Sequence, residues 1–161
     1  MIIIKKIIFL FLFTVNIYSQ QLPNLKFKLE SGLSTNLYQL VKDGPVLINF
    51  WALWCSPCLK ELPHLNDLHK KYQNKGFKVL AINVDTDRSK SEIRSYIKRN
   101  SLEMLISIEP DLNSFKKLNG KAMPYTLIVN SSNNVIYKHN GYVPGDEIIL
   151  DNKISKEFLS K

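Results

Sequence analysis

The sequence predicts an α/β fold in which one mixed central sheet is flanked by helices. Residues 46–51 and 77–84 are nearly unbroken apolar runs, which is typical of strands covered on both faces, as in a parallel sheet. Segments with helical spacing alternate with these runs, and an antiparallel strand pair is expected near the C-terminus. The chain has 161 residues, 45% of them apolar and 22% charged, so it has room for one domain with a hydrophobic core.

The elements before the first apolar run are short. Residues 25–29 alternate apolar and polar side chains and Gly32 follows, which predicts a β-hairpin at the N-terminal end of the domain. Residues 38–42 predict a short helix, which ends at the Asp-Gly-Pro sequence of residues 43–45.

A long helix is expected directly after the first buried strand. Its apolar side chains recur every three or four residues and share one face: Cys58, Leu62, Leu65, Leu68 and Tyr72. The helix is expected to reach about Asn74 and to end at Gly76. Pro63 lies inside it and removes one backbone donor.

A further helix and strand are expected between the second apolar run and the C-terminal strand pair. Ser89 and Glu92 have the spacing of a capping box, which predicts that a helix begins there. Residues 104–108 predict a third strand, and Asp111 is expected to cap a short helix that ends at Leu118.

The C-terminal part predicts a hairpin and a last helix. Residues 125–129 and 135–139 are expected to be strands joined by a polar turn at 131–134. Asp146 is expected to begin the final helix, whose apolar positions are Leu150, Ile154 and Phe158.

The N-terminus has the pattern of a secretory signal peptide. Lys5 and Lys6 precede an apolar stretch at residues 7–15, and Ser19 is a small residue at the expected cleavage position. We therefore predict a signal peptide over residues 1–19 and a mature domain over 20–161, located in the periplasm or otherwise outside the cytoplasm. The alternative is that the segment is retained as an N-terminal membrane anchor.

The charge pattern indicates a solvated surface rather than a nucleic-acid interface. The formal net charge is +8, and Lys5 and Lys6 of the predicted signal peptide contribute two of these charges. The remaining basic residues are scattered among acidic ones without a dense run. We expect a monomer that does not bind nucleic acid.

The only two cysteines, Cys55 and Cys58, form a CxxC pair. A disulfide between them closes too short a loop to stabilise the fold much, so a chemical role is favoured. Cys55 falls where the strand ends and the helix begins, and helix N-termini stabilise thiolates. Cys55 is therefore the expected nucleophile, and Cys58, one turn further on, is expected to resolve the mixed disulfide. Pro57 lies between them and fixes the turn.

Two segments carry a resemblance to a known family. Residues 50–58 (FWALWCSPC), followed by Glu61 and Pro63, resemble the active-site segment of thioredoxins and in particular the ResA/TlpA-like group. Residues 122–126 (AMPYT) resemble the loop whose cis-proline, here Pro124, faces the cysteines in that fold. The resemblance implies a thioredoxin-like fold with an inserted helix–strand unit near residues 89–108.

The resemblance also implies roles for individual residues. Asn49 stands where thioredoxins proper carry a buried aspartate, and asparagine cannot take up a proton. Glu61 stands where ResA-like proteins carry a buried glutamate, which can accept the proton of the Cys58 thiol. The alternative is that Glu61 is a solvated helix charge. We expect clients to contact four residues: Trp54, Pro57, Met123 and Pro124.

The function implied is an exported thiol–disulfide oxidoreductase without a cofactor. The preferred hypothesis is a reductant that a membrane electron donor keeps reduced, with clients such as apocytochrome c before haem attachment. A disulfide oxidant or isomerase remains an alternative, as does a copper-binding chaperone that uses both thiols. A zinc site formed with His64 and His69 is disfavoured, because zinc modules place a longer connection before the histidines, so no metal is predicted.

Overall fold

The structure, a computed structural model, describes residues 21–159. The predicted signal peptide, its cleavage site and the membrane-anchor alternative lie outside the described residues. The strands are β1 (Lys26–Lys28), β2 (Ser34–Asn36), β3 (Val46–Trp51), β4 (Lys78–Asn83), β5 (Leu105–Ile108), β6 (Tyr125–Val129) and β7 (Val135–Asn140). The helices are α1 (Leu37–Val41), α2 (Ser56–Tyr72), α3 (Lys90–Arg99), α4 (Asn113–Lys117) and α5 (Asp146–Leu159).

Five strands form one mixed sheet in the order β5-β4-β3-β6-β7. Strands β3, β4 and β5 are parallel, whereas β6 runs antiparallel to β3 and β7 antiparallel to β6. Strands β1 and β2 form the predicted N-terminal hairpin as a separate two-stranded sheet. The inserted helix–strand unit is α3 and β5, and it adds the parallel strand at one edge. The predicted α/β architecture is confirmed.

The central strands are covered on both faces, as their composition predicts. Every residue of β3 is buried, and β4 is buried from its second residue onward. The apolar face of α2 lies against this sheet and also contacts α5. The second residue of the CxxC pair, Cys58, lies on that same inward face.

The long helix ends as predicted, through a 3-10 turn at Gln73–Lys75 that is followed by Gly76. Gly76 has φ +88°, in the left-handed region that favours glycine. A side chain there would also collide with the backbone of Asp43, so this position combines a positive φ with a close approach of two chain segments.

The predicted capping box at Ser89 and Glu92 does not form. Ser89 is the residue before α3, but its φ −83° and ψ −1° are helical and its side chain makes no capping hydrogen bond. The reason is a 3-10 turn at Asp87–Ser89, which uses Ser89 as part of its own backbone instead of leaving it extended. At α4, Asp111 does accept a hydrogen bond from the Asn113 amide at 3.2 Å, although the residue preceding the helix is Leu112.

Across residues 21–159, none of the helices combines the length and the apolar character needed to span a bilayer.

Candidate active site

Cys55 and Cys58 are joined by a disulfide at the N-terminus of α2. Cys55 is the residue preceding the helix and is extended, with φ −93° and ψ 90°. Its own N–H donates to the carbonyl of Ala52 at 3.1 Å, which closes the turn between β3 and α2. Because the first backbone N–H groups of a helix have no partner within it, the N-terminus of α2 can stabilise a negative charge on sulfur.

The two cysteines differ in burial. Cys58, on the inner face of α2, is fully buried, whereas Cys55 has 5% of its area exposed to solvent. The neighbouring Trp54 is 68% exposed. Of the two cysteines, Cys55 is therefore the one that another molecule can reach from solution.

Glu61 lies in the interior, one turn after Cys58 on the same buried face of α2, and only 2% of it is exposed. Its two carboxylate oxygens have different donors. The Asn49 amide donates to Oε2 at 2.8 Å, and the Thr126 hydroxyl donates to Oε1 at 3.0 Å. The Asn49 amide also donates to the Thr126 hydroxyl at 2.9 Å. The three side chains therefore form a closed hydrogen-bonded triangle.

Burial raises the pKa of Glu61 from 4.5 to about 7. The hydrogen bonds from Thr126 and Asn49 oppose this rise by stabilising the carboxylate, and the negative charge of Asp146 adds to it. A carboxyl group with a pKa near 7 exchanges its proton readily at neutral pH, as a general acid or base requires.

The polar triangle is assembled from three elements. Asn49 is on β3 and Thr126 lies directly opposite it on β6, so both side chains point toward α2, where Glu61 lies. Asn49 and Glu61 were predicted from the sequence, whereas Thr126 was not. The available indication was that Thr126, like Asn49, is a polar residue within a strand that is otherwise apolar.

The loop before β6 lies beside the end of β3, because Phe50 pairs with Tyr125. The Met123–Pro124 peptide bond is cis, as predicted. Pro124 is buried and Met123 is half-buried. The carbonyl of Pro124 accepts a hydrogen bond from the Gly141 amide at 2.7 Å, which ties this loop to the end of β7.

A second buried carboxylate fixes the backbone on the other side of the cysteines. Asp85 Oδ2 accepts hydrogen bonds from the Leu53 amide and from the Asn83 side chain, both at 2.8 Å. The Val84 amide donates to the carbonyl of Trp51 at 3.0 Å. The segment that leads from β3 to Cys55 is therefore held to the end of β4.

One sizeable apolar groove, of about 560 Å³, lies away from the cysteines. Its lining includes Leu33, His69 and Phe77, near the start of β4. Because β3 and β4 are parallel, their starts lie at one end of the sheet and their carboxyl ends at the other. The groove is therefore at the end of the sheet opposite to Cys55, which follows β3. The reactive groups, rather than the size of a cavity, therefore locate the candidate site.

Comparisons with known proteins agree with this geometry. Residues 18–154 match the redoxin family. The chain is 27% identical over 119 residues to the thiol-disulfide oxidoreductase ResA of Bacillus cereus, covering 74% of this chain and 67% of that protein. It is 29% identical over 100 residues to ResA of Bacillus thuringiensis subsp. konkukian, where the match spans 57% of the relative's length.

A solved structure shares the fold. The crystal structure of a putative thiol:disulfide interchange protein DsbE from Chlorobium tepidum superimposes with a TM-score of 0.78 at 24% identity. The match covers 86% of this chain and 96% of that one. This likeness confirms the predicted thioredoxin-like fold.

Proposed function

Because the chain belongs to the redoxin family and is a thiol–disulfide oxidoreductase with a Cys55–Cys58 pair, we propose that it works as a reductant of disulfides in client proteins. The observation that supports dithiol exchange is the buried Glu61, which lies one helical turn after the buried Cys58 and has a pKa of about 7, and the proposed direction rests on Pro57. A resolving thiol in such surroundings needs a proton acceptor, because burial disfavours its thiolate.

The cycle begins with both cysteines reduced. The Cys55 thiolate attacks one sulfur of a client disulfide, forms a mixed disulfide and releases the other client sulfur as a thiolate. Cys58 then passes its proton to the Glu61 carboxylate, and its thiolate attacks the sulfur of Cys55. The Cys55–Cys58 disulfide forms and the second client sulfur leaves as a thiolate. The client becomes a dithiol by taking one proton back from Glu61 and one from solvent. The oxidised pair in the structure corresponds to this end state.

The residue before Cys58 favours reduction over oxidation. An imidazole at that position would donate to the Cys55 thiolate and stabilise the reduced form, which makes a dithiol pair a stronger oxidant. Here the residue is Pro57, which has no N–H to donate. The pair is therefore proposed to have a reduction potential below about −200 mV, the range of reductants rather than that of strong oxidants near −120 mV.

The remaining parts of the proposal come from the resemblance to the ResA/TlpA-like group and from the N-terminal sequence. The protein is proposed to act outside the cytoplasm, with a membrane electron donor returning the cysteines to the dithiol state. Its clients are proteins with disulfides or cysteine pairs, for example apocytochrome c before haem attachment. Trp54 and Met123, which are exposed and half-exposed respectively, are the proposed client contacts.

The test separates the roles of the two cysteines. Cys55→Ser should abolish reduction of a disulfide substrate such as insulin, because serine forms no thiolate at neutral pH. Cys58→Ser should still attack and then accumulate a mixed disulfide that cannot resolve, visible as a covalent adduct by mass spectrometry. The double variant is the matched control and should form no adduct. Normal turnover by Cys58→Ser would contradict the assignment.

Two further measurements address direction and clients. Equilibration of the Cys55–Cys58 pair with glutathione gives its reduction potential, and a value near −120 mV would favour an oxidant instead. Identification of proteins captured by Cys58→Ser in the native compartment would name the clients.

A further inference from the structure

A row of polar side chains crosses the sheet beneath α2 and α5. Asn49 on β3 lies opposite Thr126 on β6, and Thr126 lies opposite His139 on β7. Directly opposed residues of antiparallel strands point to the same face, so all three side chains face the helices. The row begins at the fully buried Asn49 and ends at His139, whose side chain is 38% exposed on the edge strand.

Two carboxylates from the helices lie against this row. Glu61 of α2 binds Asn49 and Thr126 at the buried end. Asp146, the first residue of α5, has one carboxylate oxygen 3.2 Å from His139 Nε2. The same oxygen accepts a hydrogen bond from the Val143 amide at 2.9 Å. Asp146 is only 6% exposed, and its negative charge adds, as the weakest of the influences, to the raised pKa of Glu61.

The neighbouring tyrosines and Glu147 supply no positive charge that could offset the negative charge of Asp146. Tyr137 stacks on His139 with ring centroids 6.3 Å apart, and burial raises the pKa of its phenol. Burial and the hydrogen bond to Glu147 raise the pKa of Tyr142 to about 12. Both phenols are therefore neutral at pH 7. Glu147 is engaged by Tyr142 and the Gly145 amide.

His64 of α2 lies on the outer side of this group. Its ring stacks on that of Tyr142 with centroids 6.0 Å apart. Hydrogen bonds from backbone amides lower the pKa of Glu147, and the positive charge of His64, when present, adds a smaller effect in the same direction. Among the described groups around Glu61, His139 is therefore the group at the exposed end of the polar row that can become positively charged. Its ring directly faces the Asp146 carboxylate.

We propose that His139 and Asp146 are positioning residues which together set how tightly Glu61 holds its proton. The Asp146 carboxylate makes ionisation of Glu61 less favourable, and a protonated His139 offsets that effect. The inference deepens the proposed function, because it assigns regulation of Glu61 in its role as the proton acceptor of Cys58. Under this proposal the protonation of the buried Glu61 depends on His139 at the exposed edge of the sheet, where a bound client or a change in external pH can alter the charge of the imidazole.

The arrangement makes two substitutions act in opposite directions. His139→Gln keeps a donor near Asp146 but removes the ring that can carry a positive charge there, so Glu61 should titrate at higher pH to the extent that the wild-type ring is protonated. Asp146→Asn keeps an oxygen that can accept the Val143 hydrogen bond but removes the negative charge, so Glu61 should titrate at lower pH. Each shift should be smaller than about one pH unit, because Asp146 is the weakest of the influences on the pKa of Glu61 and acts through a partly screened interior.

The experiment is a ¹³C NMR titration of the Glu61 carboxyl group in the oxidised full domain, which reports protonation without any need for activity. The imidazole signals of His139, followed in the same titration, report whether the ring carries a proton where Glu61 titrates. Glu147→Gln is the matched control, because it removes a neighbouring half-buried acid that is engaged by Tyr142 and the Gly145 amide, and Glu61 should then titrate as in the wild type.

Opposite shifts in the two variants, with none in the control, would support the proposal. Shifts of the same sign, or no shift in either variant, would overturn it. The outcome is separate from that of the proposed function: if Glu61→Gln turned over normally while both titration shifts were observed, the proton-acceptor role would fail and the electrostatic coupling would stand.

Discussion

Two buried carboxylates lie on either side of the segment that carries the cysteines, and they are held by different kinds of donors. Asp85, at the end of β4, is 5% exposed and accepts from a backbone amide and from the amide of Asn83. Glu61, on α2, is 2% exposed and accepts from the amide of Asn49 and the hydroxyl of Thr126. The exposed fractions of the two side chains are nearly the same, whereas their hydrogen-bond donors differ.

The difference lies in whether a donor can become an acceptor. An amide N–H only donates, so both groups bound to Asp85 require it to remain an acceptor. The Thr126 hydroxyl can donate to an ionised Glu61 or accept from a protonated one by rotating its O–H bond. Glu61 therefore has a partner suited to both of its protonation states, whereas Asp85 acts as a fixed anchor for the backbone at Leu53. We therefore expect the donor type, together with the burial that raises the pKa of Glu61, to suit Glu61 to proton transfer and Asp85 to a structural role.

The largest effect is expected from replacing each acid by its amide and comparing turnover. Glu61→Gln keeps the shape but cannot take a proton, so the resolving step should slow at pH 7 by up to the ~10²–10⁴-fold that general-base assistance supplies. Turnover should recover partly as the pH rises, because Cys58 can then lose its proton to solvent. The measurement is the rate of insulin reduction from pH 6 to pH 9.

Asp85→Asn is the matched control for this comparison. It retains an oxygen for the Leu53 amide and should keep the wild-type pH profile of turnover. Superimposable profiles for Glu61→Gln and the wild type would show that the two acids do not differ in proton transfer.

A smaller effect, on stability, is expected from deleting the anchoring acid. Asp85→Ala leaves the Leu53 amide and the Asn83 side chain without an acceptor, and each unsatisfied buried donor is worth about 1–3 kcal/mol, so the loss should be about 4 kcal/mol. Urea denaturation of the oxidised protein measures it, and Asp85→Asn should lose clearly less. An unchanged unfolding midpoint for Asp85→Ala would show that Asp85 does not stabilise the fold through these hydrogen bonds.

The smallest effect is a pH dependence of stability that Glu61 alone introduces. Its pKa in the folded protein, about 7, lies above the value of 4.5 for an unperturbed glutamate. The folded chain therefore holds this proton more tightly than the unfolded chain, and raising the pH from about 4.5 to about 7 removes stability. Above pH 7 the group is ionised in both states and the loss is complete, at about 3 kcal/mol at most.

Glu61→Gln should therefore gain stability relative to the wild type across this pH interval. Parallel urea titrations of the two proteins at pH 4.5, 6 and 8 measure the difference in the free energy of unfolding. A difference that stays constant with pH would mean that burial does not perturb Glu61.

The sequence predicted the elements well because their patterns are local. The buried run of β3, the inward face of α2 and the turn between β6 and β7 each follow from the spacing of side chains within one segment. The capping box at Ser89 failed for a reason that is also local, since the preceding 3-10 turn competes for the same residue.

The candidate site was predictable only in part. The CxxC pair and Glu61 have fixed spacings within one helix, so the resemblance was sufficient to find them. Thr126 and His139 are placed at the site by the register of the antiparallel strands, and Asp85 is placed there by the pairing of β3 with β4. Strand register and strand pairing cannot be derived from residues that are neighbours in the chain. Contacts of this kind appear only after the strands have been placed beside one another.

The N-terminal hairpin protects one edge of the sheet from aggregation with other molecules of the protein. An open edge strand offers unpaired N–H and C=O groups to any extended chain and favours aggregation. The inserted strand β5 forms such an edge, and the hairpin segment covers it: Leu29 bridges to Ser107, the Glu30 amide donates to the carbonyl of Ile106 at 2.8 Å, and the Ser107 hydroxyl donates to the Lys28 carbonyl at 3.0 Å. The insertion thus extends the sheet without leaving that margin free to recruit a strand from a neighbouring molecule.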